Sequence, residues 1–326
     1  MKVLLKFPEC NMQVISNNAG FLEFVRSNYY LFLADKLEKI DLTSKINFGA
    51  DKFKELPIRI SSKATLSKDA LVYNDSPLSI QIKDKPLIFE ANFKPTLIKH
   101  VARALLRGTT RRRNDYYEYL IQKMVRYPLF FYWERKGFQL HHSASIEKNG
   151  KVFLFLGLDK MGKSTTSLKM SLKGYKIMSD NFTLIKDGKV YPYLRGVRAT
   201  DFVRKNLPEL RFKNLKIDGN KYQIVLDNKN FCFKPTKIKK LFFMRRGTGF
   251  KCEKIDSQQA AEQLLSISNA SLEYPHHHYT SLIPFVTRDK IAISRYKKYL
   301  ELAQIPAYNL EYSNFKDVEE IEKELE

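Results

Sequence analysis

The sequence predicts an α/β protein: a mixed sheet built around a strand–loop–helix unit, preceded by a small α+β domain. Three observations point there. An apolar β run, Val152–Leu156, ends in a glycine-bounded loop and is followed by a helical stretch, Lys163–Lys173. Asn149-Gly150 and Asp187-Gly188 each separate two β runs, a strong short-range hairpin signal. The chain has 326 residues, 44% apolar and 13% aromatic, enough to bury a sizeable core and too apolar for a disordered tail protein.

The elements follow in order. Met1–Phe7 reads as a strand and Gly20–Lys39 has helical periodicity. Short β-like runs come next at Lys45–Phe48, Ile58–Ile60, Leu78–Lys83 and Pro86–Phe93, separated by Pro, Asn, Asp and Ser. Residues 1–95 thus read as a small domain without recognisable chemistry, and 96–326 as the second domain. Pro95 opens a helical stretch, Thr96–Leu106, and another runs from about Asp115 to Arg126. The aromatic run Phe130-Phe131-Tyr132-Trp133 is expected to pack these helices onto the sheet that follows, in preference to forming a ligand cage. Phe138–Ile146 reads as a strand paired through Asn149-Gly150 with Val152–Leu156. Gly174 stops the loop helix. Tyr175–Ser179 is a further strand, and Phe182–Lys186 and Lys189–Tyr193 flank Asp187-Gly188.

Three cysteines (Cys10, Cys232, Cys252) stand far apart with no C-x-x-C pair, which argues for a reducing compartment over a disulfide framework. No apolar run approaches the ~18 residues of a membrane span. The apolar residues of MKVLLKFPEC are too few for a signal-peptide core. A soluble cytoplasmic protein is the expectation.

The net charge is +22, and it is unevenly placed. Residues 98–126 hold eight basic and two acidic side chains, and 211–251 hold twelve and two. From Glu311 to Glu326 the sign reverses, with seven acidic residues and two lysines; Val318, Ile321 and Leu325 give this stretch the spacing of a solvated C-terminal helix. An excess this large asks for a partner, and nucleic acid, a membrane surface or an anionic substrate all qualify.

Gly157-Leu158-Asp159-Lys160-Met161-Gly162-Lys163-Ser164 fits G-x-x-x-x-G-K-[ST] without mismatch, with Thr165 next on the helix. In such a loop the backbone N–H groups point at phosphate oxygens and the helix N-terminus adds partial positive charge. Lys163 would reach the β/γ-phosphates and Ser164 would ligate Mg²⁺. A plain glycine turn before a helix is the alternative. Asp180 ends Tyr175–Ser179, expected as the strand neighbouring the loop strand after the loop helix, so its carboxylate is expected beside the phosphates, as metal ligand or as base for an attacking hydroxyl. His141 and His142 lie on the strand before the loop strand, and alternation sends one toward the site and one away.

These segments together resemble the HPr kinase/phosphorylase family, more closely its broad branch of HPr-kinase-related proteins. The likeness lies in LHHSASI (140–146), GLDKMGKST (157–165), GYKIMSDN (174–181) and VYPYLRGVR (190–198). Leu241–Arg246 followed by Ile255–Ser266 resembles a later strand and helix, and Ile305–Leu310 the last strand. The likeness spans roughly residues 130–315. It implies a P-loop kinase domain of the HPr kinase/phosphoenolpyruvate-carboxykinase type, moving the γ-phosphate of ATP to a serine-type hydroxyl of a peptide, protein or small molecule. By that resemblance Lys163 and Ser164 hold phosphate and Mg²⁺. Asp180 is base or metal ligand, with Asn181 beside it at the metal; His141 matches the strand histidine and Arg195 steadies phosphate charge. The chain departs from the family's pattern at several positions. Asp159 and Lys160 replace Ser and Gly, so the Asp159 side chain is expected to point outward, toward Lys160. Asn181 replaces a second acid, and Leu194 and Gly196-Val197 replace prolines.

Two other classes compete. A nucleic-acid-associated NTP-binding protein is motivated by the basic segments interleaved with Tyr116, Tyr117, Tyr222, Phe231 and Phe233. A non-catalytic nucleotide-binding scaffold is motivated by Asn181 and the altered loop. The expected partners are a nucleotide, an acidic or phosphorylated hydroxyl-bearing acceptor, nucleic acid for the basic surface, and another copy of the chain as a homo-oligomer. His276-His277-His278 lacks metal-ligand spacing and reads as a loop after Pro275.

Overall fold

A computed structural model describes residues 1–94, 113–218, 221–270, 291–313 and 317–325. It is a mixed α/β protein with two large mixed sheets and few helices. Two compact units are present, Met1–Lys136 and Gly137–Tyr274 with Ile291–Glu326. The expected boundary at 95/96 and the expected helix Thr96–Leu106 fall on residues outside the described set, as do His276–His278.

In the first unit β1 (Lys2–Phe7) and β2 (Cys10–Ser16) form a hairpin, with Phe7 opposite Cys10. Helix α1 (Ala19–Asn28) follows, its N-terminus capped by Asn18 Oδ1 accepting from Phe21 N–H at 2.9 Å. The helix is shorter than Gly20–Lys39. Ser27 Oγ and Asn28 Nδ2 both donate back to the Phe24 oxygen in the last turn, side-chain bonds of a kind that competes with further helix. The chain then extends, and Leu33 bridges Leu5. Strands β3 (Leu42–Phe48), β4 (Ile58–Arg59), β5 (Ala64–Leu66), β6 (Ala70–Asp75), β7 (Leu78–Lys83) and β8 (Ile88–Phe93) complete an eight-stranded sheet of order β1-β2-β3-β8-β7-β6-β5-β4. Pairs β2·β3 and β3·β8 are parallel; the others are antiparallel.

Helices α2 (Arg113–Ile121) and α3 (Tyr127–Arg135) belong to this unit, joined by a π-helical turn at Gln122–Arg126. The run Phe130–Trp133 is buried, but it packs on the first sheet, not on the one that follows. Trp133 Nε1 donates to the Pro8 oxygen at 2.8 Å, and its ring meets Phe7 edge-on at 5.8 Å. Pro8 stands in the β1–β2 turn, so the packing is with the sheet of the helix's own unit.

The second unit is a nine-stranded sheet with helices on both faces. Its strands are β9 (Gln139–His141), β10 (Ser143–Lys148), β11 (Lys151–Leu156), β12 (Lys176–Ser179), β13 (Thr183–Lys186), β14 (Lys189–Tyr191), β18 (Thr236–Arg246), β19 (Lys251–Ile255) and β20 (Ala307–Tyr312). The hairpins form at Asn149-Gly150 and Asp187-Gly188, where both residues of each pair take positive φ, the I′ requirement. Strand β11 lies between β10 (antiparallel) and β18 (parallel), and β20 runs parallel on the far edge of β18.

Alternation along β11 splits the core. Val152, Leu154 and Leu156 face one cluster with Leu264, Tyr299 and Leu302 from α6 (Ser257–Ala270) and α7 (Ile291–Leu302). Phe153 and Phe155 face the other, with Met170 of α4 (Lys163–Leu172) and Ile321 and Leu325 of α8 (Val318–Leu325). The acidic C-terminal helix is therefore docked by its apolar stripe. Glu319 and Glu322 meet Lys169 and Lys173 of α4. A separate three-stranded sheet, β15 (Arg198–Thr200), β16 (Arg211–Asp218) and β17 (Lys221–Val225), is inserted between β14 and β18 together with α5 (Asp201–Asn206). Among the described residues no helix is long and apolar enough to cross a membrane.

Candidate functional site

The loop between β11 and α4 is shaped by two glycines that nothing else replaces. Gly157 sits at φ 152°, and a Cβ there would lie 3.0 Å from the Met244 main-chain oxygen on β18. Gly162 sits at φ 80°, where a Cβ would overlap the Tyr312 hydroxyl. Lys160 between them also has positive φ, 65°. Leu158, Asp159 and Lys160 are exposed at the tip, whereas Lys163 is buried and folds across the loop. Its ammonium donates to the oxygens of Gly157 and Leu158, both at 2.8 Å. Helix α4 starts at Lys163, so the N–H groups of Lys163, Ser164 and Thr165 have no intrahelical acceptor and the positive helix end faces the loop.

Asp180 meets this loop from the side. The Ser164 hydroxyl donates to Asp180 Oδ1 at 2.6 Å. The expected adjacency of the two strands is corrected: β10 lies between β11 and β12, antiparallel to both. Asp180 still reaches Ser164 because α4 packs across β10 and also contacts β12. Beneath the turn, Ser145 Oγ is 2.6 Å from Ser179 Oγ, which in turn bonds Thr183 Oγ1; all three hydroxyls are buried. That chain of hydroxyls fixes the strand end that carries Asp180. Tyr193 bridges Ser179 on the outer edge of β12, so the segment leading to half-buried Arg195 starts beside Asp180.

The histidine that meets the loop is His142, not His141. Its Nε2 lies 3.0 Å from Asn181 Oδ1 and 3.2 Å from Asp159 Oδ1, and its ring stacks on Phe182 at 5.8 Å. A protonated Nε2 donates to both oxygens. Asn181, at φ 71°, holds the histidine in place. Asp159 is exposed as expected, but its carboxylate turns to His142 rather than to Lys160. His141 is fully buried away from the loop, its ring 5.3 Å from Tyr299 and its Nε2 3.0 Å from Gln139 Oε1. Burial pushes this imidazole down to about 3, so it is neutral. Its Nδ1 is buried without a hydrogen-bond partner. Alternation does send one histidine to the loop and one away, across a break in the expected strand Phe138–Ile146 at His142, where the chain leaves β13 to pair with β11 and β12; the histidine matched by the resemblance, His141, is the one turned away.

The structure thus gathers Gly157–Thr165, Asp180, Asn181 and His142 in one place and leaves His141 out. The oxygens of Ser164, Asp180 and Asn181 suit a hard cation. Among the described residues no group of three or more His, Cys, Asp or Glu side chains is placed to hold a metal, so such a cation would draw its remaining ligands from phosphate or water. A carboxylate beside a cationic loop is also placed to take a proton from a hydroxyl. No protein-family model matches the chain, and no curated protein matches its sequence.

Proposed function

We propose that the chain is an ATP-dependent kinase, its loop and sheet following the HPr kinase/phosphoenolpyruvate-carboxykinase pattern, that phosphorylates a serine-type hydroxyl of a peptide, protein or small molecule. The observation that carries the reading is the Ser164–Asp180 hydrogen bond at 2.6 Å at the head of the glycine-bounded loop. It joins the two groups that a P-loop kinase needs, a hydroxyl for the metal and a carboxylate for metal or acceptor. When bound, ATP supplies the phosphoryl group and Mg²⁺ neutralises charge on its oxygens. The chain's own residues do the rest. Lys163, already inside the loop, exchanges the Gly157 and Leu158 carbonyls for phosphate oxygens, and the N–H groups of 158–164 with the α4 N-terminus hold the polyphosphate. Ser164 and Asn181 would provide oxygens for the cation. Asp180 would either join them as a ligand or take the proton from the acceptor hydroxyl. Arg195 stands on the segment that enters beside Asp180, where a guanidinium can pair with phosphate charge.

The test is label transfer from γ-labelled ATP with Mg²⁺ to hydroxyl-bearing acceptors. Asp180→Asn should lower transfer roughly 10²–10⁴-fold, the usual contribution of a general base, and Lys163→Ala should abolish nucleotide binding. Transfer that survives both changes sinks the kinase. Asn181, which replaces an acid with a neutral amide and ties it to His142, favours one second reading, a scaffold that binds nucleotide without turning it over. Tight ATP binding with no transfer to any acceptor would establish that reading instead.

A further inference from the structure

The segment from Arg195 to Lys234 leaves the sheet beside Asp180 and returns to the same edge. Its outgoing limb bridges β12 at Tyr193, opposite Ser179; its returning limb bridges it at Phe231, opposite Ile177. The Cys232 N–H donates to the Ile177 oxygen at 3.1 Å, fixing the second stem. Between the stems the chain builds the sheet β15-β17-β16, in which Val197, Val203, Leu207, Tyr222 and Ile224 are buried. The insertion therefore carries a sheet of its own and is mounted one residue from Asp180.

Its charge is one-sided. Residues 195–234 carry ten Lys and Arg against four Asp and Glu. Arg204, Lys205, Arg211, Lys229 and Lys234 are exposed. Among the described residues β16 pairs with β17 alone, so its outer edge presents main-chain groups with no strand beside them. Proteins usually shield such an edge, because any extended chain can pair with it. The β16–β17 ladder shifts register between Phe212 and Lys216, which limits pairing to a short stretch.

We infer that this insertion is the docking platform for the acceptor, an extended acidic polypeptide segment that adds to the edge of β16 and is drawn there by the insertion's excess of cations. The inference rests on the kinase reading for its purpose, since the platform would deliver a hydroxyl toward Asp180. Strand addition provides main-chain hydrogen bonds regardless of side chains, and complementary charge selects acidic sequences. RNA fits less well. A base-stacking surface needs neighbouring open aromatic faces; Phe202 and Phe233, exposed by 54% and 45%, stand on separate elements, and Tyr222 is buried under the Arg204 guanidinium at 4.8 Å.

The experiment measures binding of a fluorescent peptide of alternating glutamate and serine to the full chain by anisotropy, without nucleotide. Binding should weaken with salt, and the double reversal Lys205→Glu/Arg211→Glu should weaken it about tenfold, as expected for two exposed charges turned from attraction to repulsion. The melting temperature and the affinity for a fluorescent ATP analogue should stay as in the parent protein. The same peptide N-methylated at alternate residues should lose binding, because it cannot complete a ladder. Unchanged affinity in the double variant, undiminished binding of the methylated peptide, or displacement of the peptide by a tighter-binding single-stranded oligouridine would each overturn the inference. Loss of the kinase reading shows separately: a chain that binds the peptide but no ATP refutes the kinase, and one that turns over ATP but ignores the peptide refutes the platform.

Discussion

The Tyr312 hydroxyl fills the space that a side chain at Gly162 would need, and it donates to the main-chain oxygen of Met161 next to it. The last strand of the sheet thus clamps the loop, and the Arg246 guanidinium covers the tyrosine ring at 4.8 Å. Gly162→Ala faces two penalties: a Cβ that overlaps the hydroxyl, and a backbone at φ 80° that costs an L-residue about 1–2 kcal/mol. Tyr312→Phe removes the hydroxyl overlap, leaving the ring Cζ at 3.1 Å, and one hydrogen bond, at about 0.5–1.5 kcal/mol. The double variant should therefore lose less stability and less nucleotide affinity than the sum of the single changes. Strict additivity in urea unfolding and in nucleotide titration would show that the hydroxyl does not hold the loop.

Asp159 places a carboxylate at the mouth of the loop, held by His142 at 3.2 Å and 74% exposed. An anion there opposes a polyphosphate, but water and salt screen it. Asp159→Asn should raise affinity for ATP about two- to fivefold at low ionic strength, with the gain shrinking in high salt. Titration at two salt concentrations measures this, and a weaker or unchanged affinity would mean that the carboxylate already stands clear of the phosphates.

Much of the second unit is legible in the sequence because its signals are local. Asn149-Gly150, Asp187-Gly188 and the glycines at 157 and 162 each demand backbone conformations that few residues tolerate, and the structure puts them there. Asp180 was legible as a strand-end acid, although β10 between β11 and β12 was not, since strand order depends on pairing over tens of residues. Cys10–Ser16 alternates buried and half-buried positions as a strand should, yet Asn11, Gln13 and Ser16 make it a weak β signal beside Met1–Phe7 and the helix after it. His142 was legible only as one of two neighbouring histidines, and α8 was legible as a helix from its narrow apolar stripe, but not its docking on the sheet, since its acidic face reads as solvated. The docking of Phe130–Trp133 on the first sheet is a long-range choice that no local pattern encodes.

That stripe gives the next prediction. Ile321 is fully buried against the face of the sheet that also receives α4. Ile321→Ala should cost about 2–5 kcal/mol, the range for removing a buried aliphatic side chain. Glu322→Gln breaks the contact with Lys173, a partly exposed ion pair, and should cost under about 1 kcal/mol. Chemical denaturation separates the two. Equal losses would mean that charge, not the apolar stripe, holds the helix.

His141 gives stability a pH dependence whose sign is fixed by its burial. Folded, the imidazole is pushed down to about 3; unfolded, it titrates near 6.5. Between those values the unfolded chain binds a proton that the folded chain refuses, so stability rises with pH across the window and is complete above about 6.5. As pH falls from about 6.5 toward 3 this contribution is lost, at up to about 1.4 kcal/mol per pH unit. His141→Asn has nothing to titrate and should lose that slope, while acidic groups elsewhere titrate equally in both proteins. Urea unfolding of the two proteins from pH 7 to pH 4.5 gives the difference directly. A wild-type slope no steeper than that of the variant would show that the imidazole is reached by water and protonated in the folded state.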